Sequence, residues 1–196
     1  MSDSVTRSTD TTSKPKPRCQ RLTPKLIKQL TERGQSELCE VRDSPIHGYG
    51  VYATQDLGKE DRIIEYVGQK ITKKESEKRG IEQQDLAEQH GEAAVYIFTL
   101  DEDYDIDGNF DWNPARLINH SCNPNCEAWI EDEKGIAIYS LREIKKGEEL
   151  TFDYGFDISC CEDHPCLCGS PDCVGYIVSR SQWKELKRRI AAGELS

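Results

Sequence analysis

The sequence predicts a mainly β protein with few short helices, built from small sheets. Three observations predict it. From Glu37 onward, short apolar-rich runs recur between turn residues, in LCEVRDSPIHGYGVYATQDL, RIIEYVGQKI and AWIEDEKGIAIYSL, and such runs have strand length. Strands do not alternate with long helical stretches, which argues against a Rossmann-type sheet. The stretch 157–178 is Cys-rich and loop-like.

The elements follow in order. Residues 1–22, rich in Ser, Thr, Lys and Pro, read as a disordered basic tail. Residues 23–36 form a short helix, with Thr23 as N-cap, Pro24 at the first helical position, Leu26, Ile27 and Leu30 on one face and Gly34 as the stop. Residues 37–157 form the folded domain. Its first strands are joined by a Gly-rich turn, and RIIEYVGQKI reads as a strand pair around Gly68. Thr72 with Glu75 is a capping box, so a helix runs through KKESEK. Gly80 interrupts it, and a second polar helical stretch continues to about Gln89. YIFTL is a strand followed by an acidic turn. AWIEDEKGIAIYSL is a hairpin turning at EKG, and IKKGEEL feeds a last strand, LTFDY. Residues 158–178 are the cysteine segment. Residues 179–196 form a basic helix capped by Ser179 or Ser181, with Trp183, Leu186 and Ile190 on one face.

Composition bounds the function. Apolar residues make up 36% of 196, enough for a core. No apolar run approaches the ~20 residues that span a bilayer. The N-terminus has no apolar signal core, so an intracellular protein is expected. There are nine cysteines, and in a reducing compartment these point to metal or catalysis before disulfides. The net charge of −10 disfavours direct nucleic-acid binding. Between Glu82 and Asp111 there are many acids and no Lys or Arg. Such a face either attracts a cationic peptide or is simply solvated.

Four motifs carry chemistry. Cys166, Cys168 and Cys173 form C-x-C-x4-C around a Gly-Ser-Pro turn, so three thiolates can converge on one ion, and a structural zinc needs a fourth soft ligand. Cys122 is the candidate, with Cys126, Cys161 and His164 as rivals. Cys19 and Cys39 are left unliganded. The second motif, RLINHSCNPNC at 116–126, packs Asn, Ser and His into a tightly hydrogen-bonded turn. The third, ELTFDYGF at 149–156, ends a strand in aromatic and acidic residues. The fourth, HGYGVYA at 47–53, holds a Gly-x-Gly turn that lets backbone approach a ligand.

In this order HGYGVYA, EYVG, YIFTL, IDG, ARLINHSCNPNC, IKKGEELTFDYG and CLCGSPDCVGYI resemble the successive motifs of SET-domain protein-lysine methyltransferases with a post-SET zinc segment. The resemblance covers about 37–178; no Cys-rich pre-SET cluster precedes it. It makes 37–157 the SET domain and 158–178 the post-SET segment. It implies a fold of small sheets in which the NHSC segment is threaded by the following chain as a C-terminal pseudoknot. A cofactor face and a peptide face would be joined by a narrow channel.

The resemblance also implies residue roles. The cofactor would be S-adenosylmethionine, held by Gly48, Tyr49, Gly50, Tyr96, Arg116, Asn119 and His120, with Tyr176 shielding the adenine. Tyr49 stands where relatives often carry Trp or Arg. One structural zinc would be bound by Cys122, Cys166, Cys168 and Cys173. Tyr154 would be the main catalytic residue, with Tyr66, Phe98 and Phe152 walling the lysine channel. Phe152 and the small Ala128 leave room for di- or trimethylation.

The expected partner is a lysine-containing protein or peptide, such as a histone tail, bound by a monomer with no membrane. The expected location is nucleus and chromatin for a eukaryotic source, cytoplasm or a host for a bacterial one. A non-catalytic SET-like module fits less well, because Tyr154, Asn119, His120 and the Gly-x-Gly are all intact. A zinc-stabilised adaptor accounts for the cysteines alone.

Overall fold

The computed structural model describes residues 16–90, 96–131 and 135–195, the side chains of 85–90 excepted. Residues 1–15 of the tail, Glu92 of the acidic stretch, and Glu133 and Lys134 of the EKG turn lie outside the described residues. Helix α1 (Pro24–Arg33) starts where Thr23 Oγ1 accepts the Leu26 N–H and ends where the Gly34 N–H reaches the Leu30 carbonyl. Leu30 is its buried residue.

Ten short strands form small sheets among the described residues. Strands β1 (Cys39–Asp43) and β2 (Tyr49–Ala53) make an antiparallel hairpin. Strand β2 also pairs with β10 (Glu149–Phe152), which runs parallel to the two-residue β7 (Asn119–His120). Asn125 ties this crossing together. Its Nδ2 donates to the Glu149 carbonyl at 2.7 Å and its Oδ1 accepts the Thr151 N–H at 2.8 Å. The carboxamide thus completes β10's hydrogen bonding as a neighbouring strand would. Residues 119–126 and 149–154 meet as the pseudoknot expectation requires.

Strands β3 (Arg62–Tyr66) and β4 (Gln69–Thr72) do not pair with each other, contrary to the sequence expectation. Strand β3 joins β9 (Gly135–Ser140), which pairs with β8 (Cys126–Glu131). Strand β4 joins β6 (Tyr104–Asp107), which pairs with β5 (Ile97–Thr99). The chain changes sheet at Gly68, where a Cβ would sit 2.2 Å from the Asp107 carbonyl oxygen. Any side chain there would have to push one sheet off the other. Gly68→Ala is therefore expected to lower the unfolding free energy by roughly 2–3 kcal/mol, read as a shift in the urea midpoint at constant slope.

Helix α2 (Lys73–His90) runs without a break through Gly80, correcting the expected interruption. A Cβ at Gly80 would meet nothing within 4 Å, so the glycine costs propensity and nothing else. The helix is also anchored from outside. Arg79 Nη1 reaches Asp107 Oδ2 at 2.6 Å, and Lys73 Nζ reaches Asp105 Oδ1 at 2.5 Å. Asp105 and Asp107 are buried, so part of the acidic stretch is an internal ion-pair layer rather than a solvated face. Strand β6, which carries both, was not foreseen beyond an acidic turn.

The main core gathers Val51, Ile64, Ile118, Ile138, Ile144 and Leu150. A second, smaller core joins Ile158, Cys161 and Val178 to Leu186 of helix α3 (Trp183–Ala191). Neither Ser179 nor Ser181 caps α3 with its side chain; Gln182 precedes it, and the two serine hydroxyls bond each other at 2.9 Å. Ile190 is 40% exposed, so the apolar face is only half used. No described helix is long and apolar enough to cross a membrane.

Candidate active site

The first cavity, about 480 Å³, lies beneath strand β5 and the end of β10. Its wall is a run of aromatic rings in successive contact. Tyr66 lies 4.5 Å from Phe98, Phe98 5.5 Å from Phe152, and Phe152 4.9 Å from Tyr154. Tyr154 lies 5.6 Å from Phe156, and Phe156 4.7 Å from His164. No carboxylate is among the described residues lining the cavity, and Arg116 is its cation. Arg116 sits over the Tyr96 ring and pairs with Asp111.

Backbone carbonyls hold the two tyrosine hydroxyls of this wall. The Tyr154 hydroxyl donates to the Ile118 carbonyl at 2.9 Å. Burial pushes the Tyr154 phenol up, and burial pushes Tyr66 well up too, so both rings stay neutral donors. The Tyr66 hydroxyl donates to the Tyr96 carbonyl at 2.9 Å.

Asn119 and His120 follow Ile118 on β7. The Tyr154 N–H donates to His120 Nδ1 at 3.3 Å. That bond assigns the ring proton to Nε2, which lies 3.7 Å from Cys122 Sγ. Burial lowers the His120 pKa, against the pull of Asp153, so the ring is neutral. Asn119 Nδ2 lies 3.0 Å from the Tyr49 carbonyl and 3.4 Å from that of His47. The Gly48–Gly50 turn and the Asn119–His120 turn are thereby one unit.

The four cysteines expected as metal ligands converge. The sulfurs of Cys122, Cys166, Cys168 and Cys173 all lie within 4.8 Å of one another. Cys122 Sγ is 3.7 Å from Cys166 Sγ and 3.9 Å from Cys173 Sγ. Zn–S bonds of about 2.3 Å in a tetrahedron set sulfurs about 3.8 Å apart, so the donors fit zinc. Cys168 is lowered to about 7 despite its partial burial, because backbone N–H groups of Cys122 and Ser170 point at its sulfur. The rivals are accounted for elsewhere. Cys126 belongs to the main core, Cys161 to the second core, and His164 faces the cavity.

A family model described as SET domain matches residues 48–155. The chain belongs to the SET-domain family. It is 45% identical over 156 residues to "Histone-lysine N-methyltransferase set-2" of Caenorhabditis elegans, covering 77% of this chain and 10% of that protein. It is 43% identical over 139 residues to "Histone-lysine N-methyltransferase, H3 lysine-4 specific" of Aspergillus oryzae, covering 68% of this chain and 11% of that protein. The protein of the same description from Schizosaccharomyces pombe is 42% identical over 137 residues, covering 68% and 14%. The chain thus spans about a tenth of the length of these relatives.

The SET domain gathers the expected residues unevenly. Tyr66, Tyr96, Phe98, Arg116, Phe152 and Tyr154 line one cavity. Gly48, Tyr49, Gly50, Asn119 and His120 do not line it; His120 contacts Tyr154, and Asn119 contacts the Tyr49 and His47 carbonyls of the Gly-x-Gly turn. Tyr176 does not line it; it packs against the second core and bridges Pro165. The side chains that this segment does present there are His164 and Ile177. Ala128 borders a second cavity, of about 360 Å³, which shares Phe98 with the first.

Phe156 and Ile177 are additions to the expected wall, and His164, expected only as a rival metal ligand, joins it too. Phe156 had a signal, since Phe152, Tyr154 and Phe156 keep the two-residue period of a strand face. His164 had none, because its place depends on how the cysteines fold the segment back.

Proposed function

We propose that the chain is the catalytic part of an S-adenosylmethionine-dependent protein-lysine methyltransferase acting on histone H3, at the lysine 4 for which several relatives are described as specific. The observation that carries it is an aromatic cavity, with no carboxylate among the described residues that line it, whose wall includes Tyr154 with its hydroxyl held by the Ile118 carbonyl. A lysine amine must be neutral to attack carbon, yet its free pKa is about 10.4. An apolar tunnel disfavours the ammonium, and no lining carboxylate stabilises it.

The cofactor would supply a methyl group on a positively charged sulfur. Tyr154, held against the Ile118 carbonyl, would orient the incoming amine. Tyr66, Phe98 and Phe152 would exclude water and confine the approach to a line, which is the larger part of the rate. Asn119, His120 and the Gly48–Gly50 turn would seat the amino-acid and adenine ends, with Tyr49, Arg116 and Tyr96 beside them. Cys122, Cys166, Cys168 and Cys173 would hold one zinc ion that fixes residues 158–178, and so His164 and Ile177, against the cavity. Acting on histone H3, the chain would work on chromatin in the nucleus.

The test is label transfer from methyl-labelled S-adenosylmethionine to an H3 tail peptide, with the same peptide carrying Arg in place of the target lysine as control. Label on the first peptide alone is the expected result; label on neither, with cofactor bound, contradicts the reading. Product state gives a second check. A Phe at position 152 would leave space beside the amine, so dimethyl and trimethyl product are expected. Phe152→Tyr, which adds a hydroxyl there, is expected to shift the mass spectrum of the product toward monomethyl.

A further inference from the structure

Glu149, at the start of β10, is where the two halves of the expected cofactor seat are joined. Its Oε1 accepts from Ser44 Oγ at 2.7 Å and from Asn119 Nδ2 at 2.8 Å, and its Oε2 accepts from the Tyr52 hydroxyl at 3.0 Å. Gly50 leaves room beside it, because a Cβ there would lie 2.3 Å from Glu149 Oε1 and the carboxylate would have to move. One carboxylate therefore touches the loop before the Gly-x-Gly turn, the strand after it and the Asn119 side chain.

A carboxylate can only accept. Next to Glu149, Tyr49 O and His47 O, Asn119 must present its nitrogen inward, and its Oδ1 faces the other way. Among the described residues Oδ1 has no protein partner. Asn119 is 8% exposed, and none of the buried side-chain oxygens is without a partner, so Oδ1 must lie at the exposed corner. An oxygen fixed in this way accepts from a donor, and a cationic donor suits it best.

We propose that Glu149 is a positioning residue of the cofactor seat: it locks the Asn119 carboxamide so that Oδ1 accepts from the ammonium group of a bound amino-acid-bearing ligand. The proposal rests on the methyltransferase reading above. With Gln at 149 the partner can donate or accept, so the carboxamide keeps only the Tyr49 and His47 carbonyls to impose its orientation and is held less firmly.

The test is calorimetry with two probes. S-adenosylhomocysteine carries the ammonium; 5′-methylthioadenosine shares the nucleoside and lacks it. Glu149→Gln is expected to raise the Kd for S-adenosylhomocysteine roughly tenfold, one charge-assisted hydrogen bond's worth, and to leave the Kd for methylthioadenosine within about twofold. In an Asn119→Ala background Glu149→Gln should add no further loss, as residues acting as one unit do. If Glu149→Gln fails to fold, Ser44→Ala, which removes one donor holding the carboxylate, should show the same selectivity with a smaller shift. Equal weakening of both probes, no change in either, or a full additional loss in the Asn119→Ala background overturns the Glu149 assignment alone. Failure of the wild-type chain to bind S-adenosylhomocysteine overturns it together with the methyltransferase reading.

Discussion

Tyr154→Phe is expected to lower the rate of methyl transfer by roughly a hundredfold, the scale on which losing alignment at a reacting centre is felt, while cofactor affinity stays within about twofold. The hydroxyl is the only atom removed. It donates to the Ile118 carbonyl at 2.9 Å, on the residue that precedes Asn119 and His120. The ring remains packed against Phe152, Phe156 and His120, so the cavity keeps its shape. What is lost is a neutral phenol, kept neutral by burial, that can orient an amine. A loss in kcat and in kcat/KM by similar factors is the signature of an interaction made in the transition state. A rise in KM for the cofactor with unchanged kcat would instead assign Tyr154 to binding.

Removing the metal is expected to abolish transfer. The purified chain should carry about one zinc ion, and Cys173→Ser should carry almost none, by elemental analysis. The melting temperature should fall by roughly 10 °C or more. A structural zinc contributes folding free energy directly, and each kcal/mol moves the midpoint by about 2–4 °C at this chain length. The effect should reach the cavity by two routes. The residues flanking the three clustered cysteines on either side supply His164 and Ile177 to the cavity wall. His120 bridges Cys122 Sγ, 3.7 Å from its Nε2, to the Tyr154 backbone N–H, 3.3 Å from its Nδ1. A thiolate held by metal keeps accepting from Nε2 and so keeps the ring and the Tyr154 backbone in register. A zinc-free chain with full activity would contradict this coupling.

Much of this was legible in the sequence because its signals are local. Thr23-Pro24 and Gly34 bound α1 through caps that need only neighbouring residues. The C-x-C-x4-C spacing around Gly169 and Pro171 brings three sulfurs together by itself. The illegible parts are set by contacts distant along the chain. Strands β3 and β4 separate at Gly68 because of the Asp107 carbonyl, 39 residues away in sequence. Gly80 reads as a break by propensity, yet Asp107 takes bonds from Arg79 before it and Gln83 after it. Asp105 and Asp107 looked like a solvated face because Lys73 and Arg79 meet them only across the folded sheet. Glu149 carried no signal at all, since its three partners come from separate strands and a loop. Tyr176 and Ile177 differ by one position, and side-chain direction in an irregular segment is decided by packing, here against Val178 and Leu186.

One aromatic-walled passage is expected to bring a lysine amine to the cofactor's methyl group. A crystal structure of the chain with S-adenosylhomocysteine and an H3 peptide tests it most directly. The lysine side chain should thread between Tyr66, Phe98 and Phe152, with Nζ within about 4 Å of the Tyr154 hydroxyl, as expected of a near-attack geometry, and the thioether beyond it beside Asn119 and His120. A peptide bound away from this cavity, or a cofactor with no open path to the lysine amine, would contradict the account.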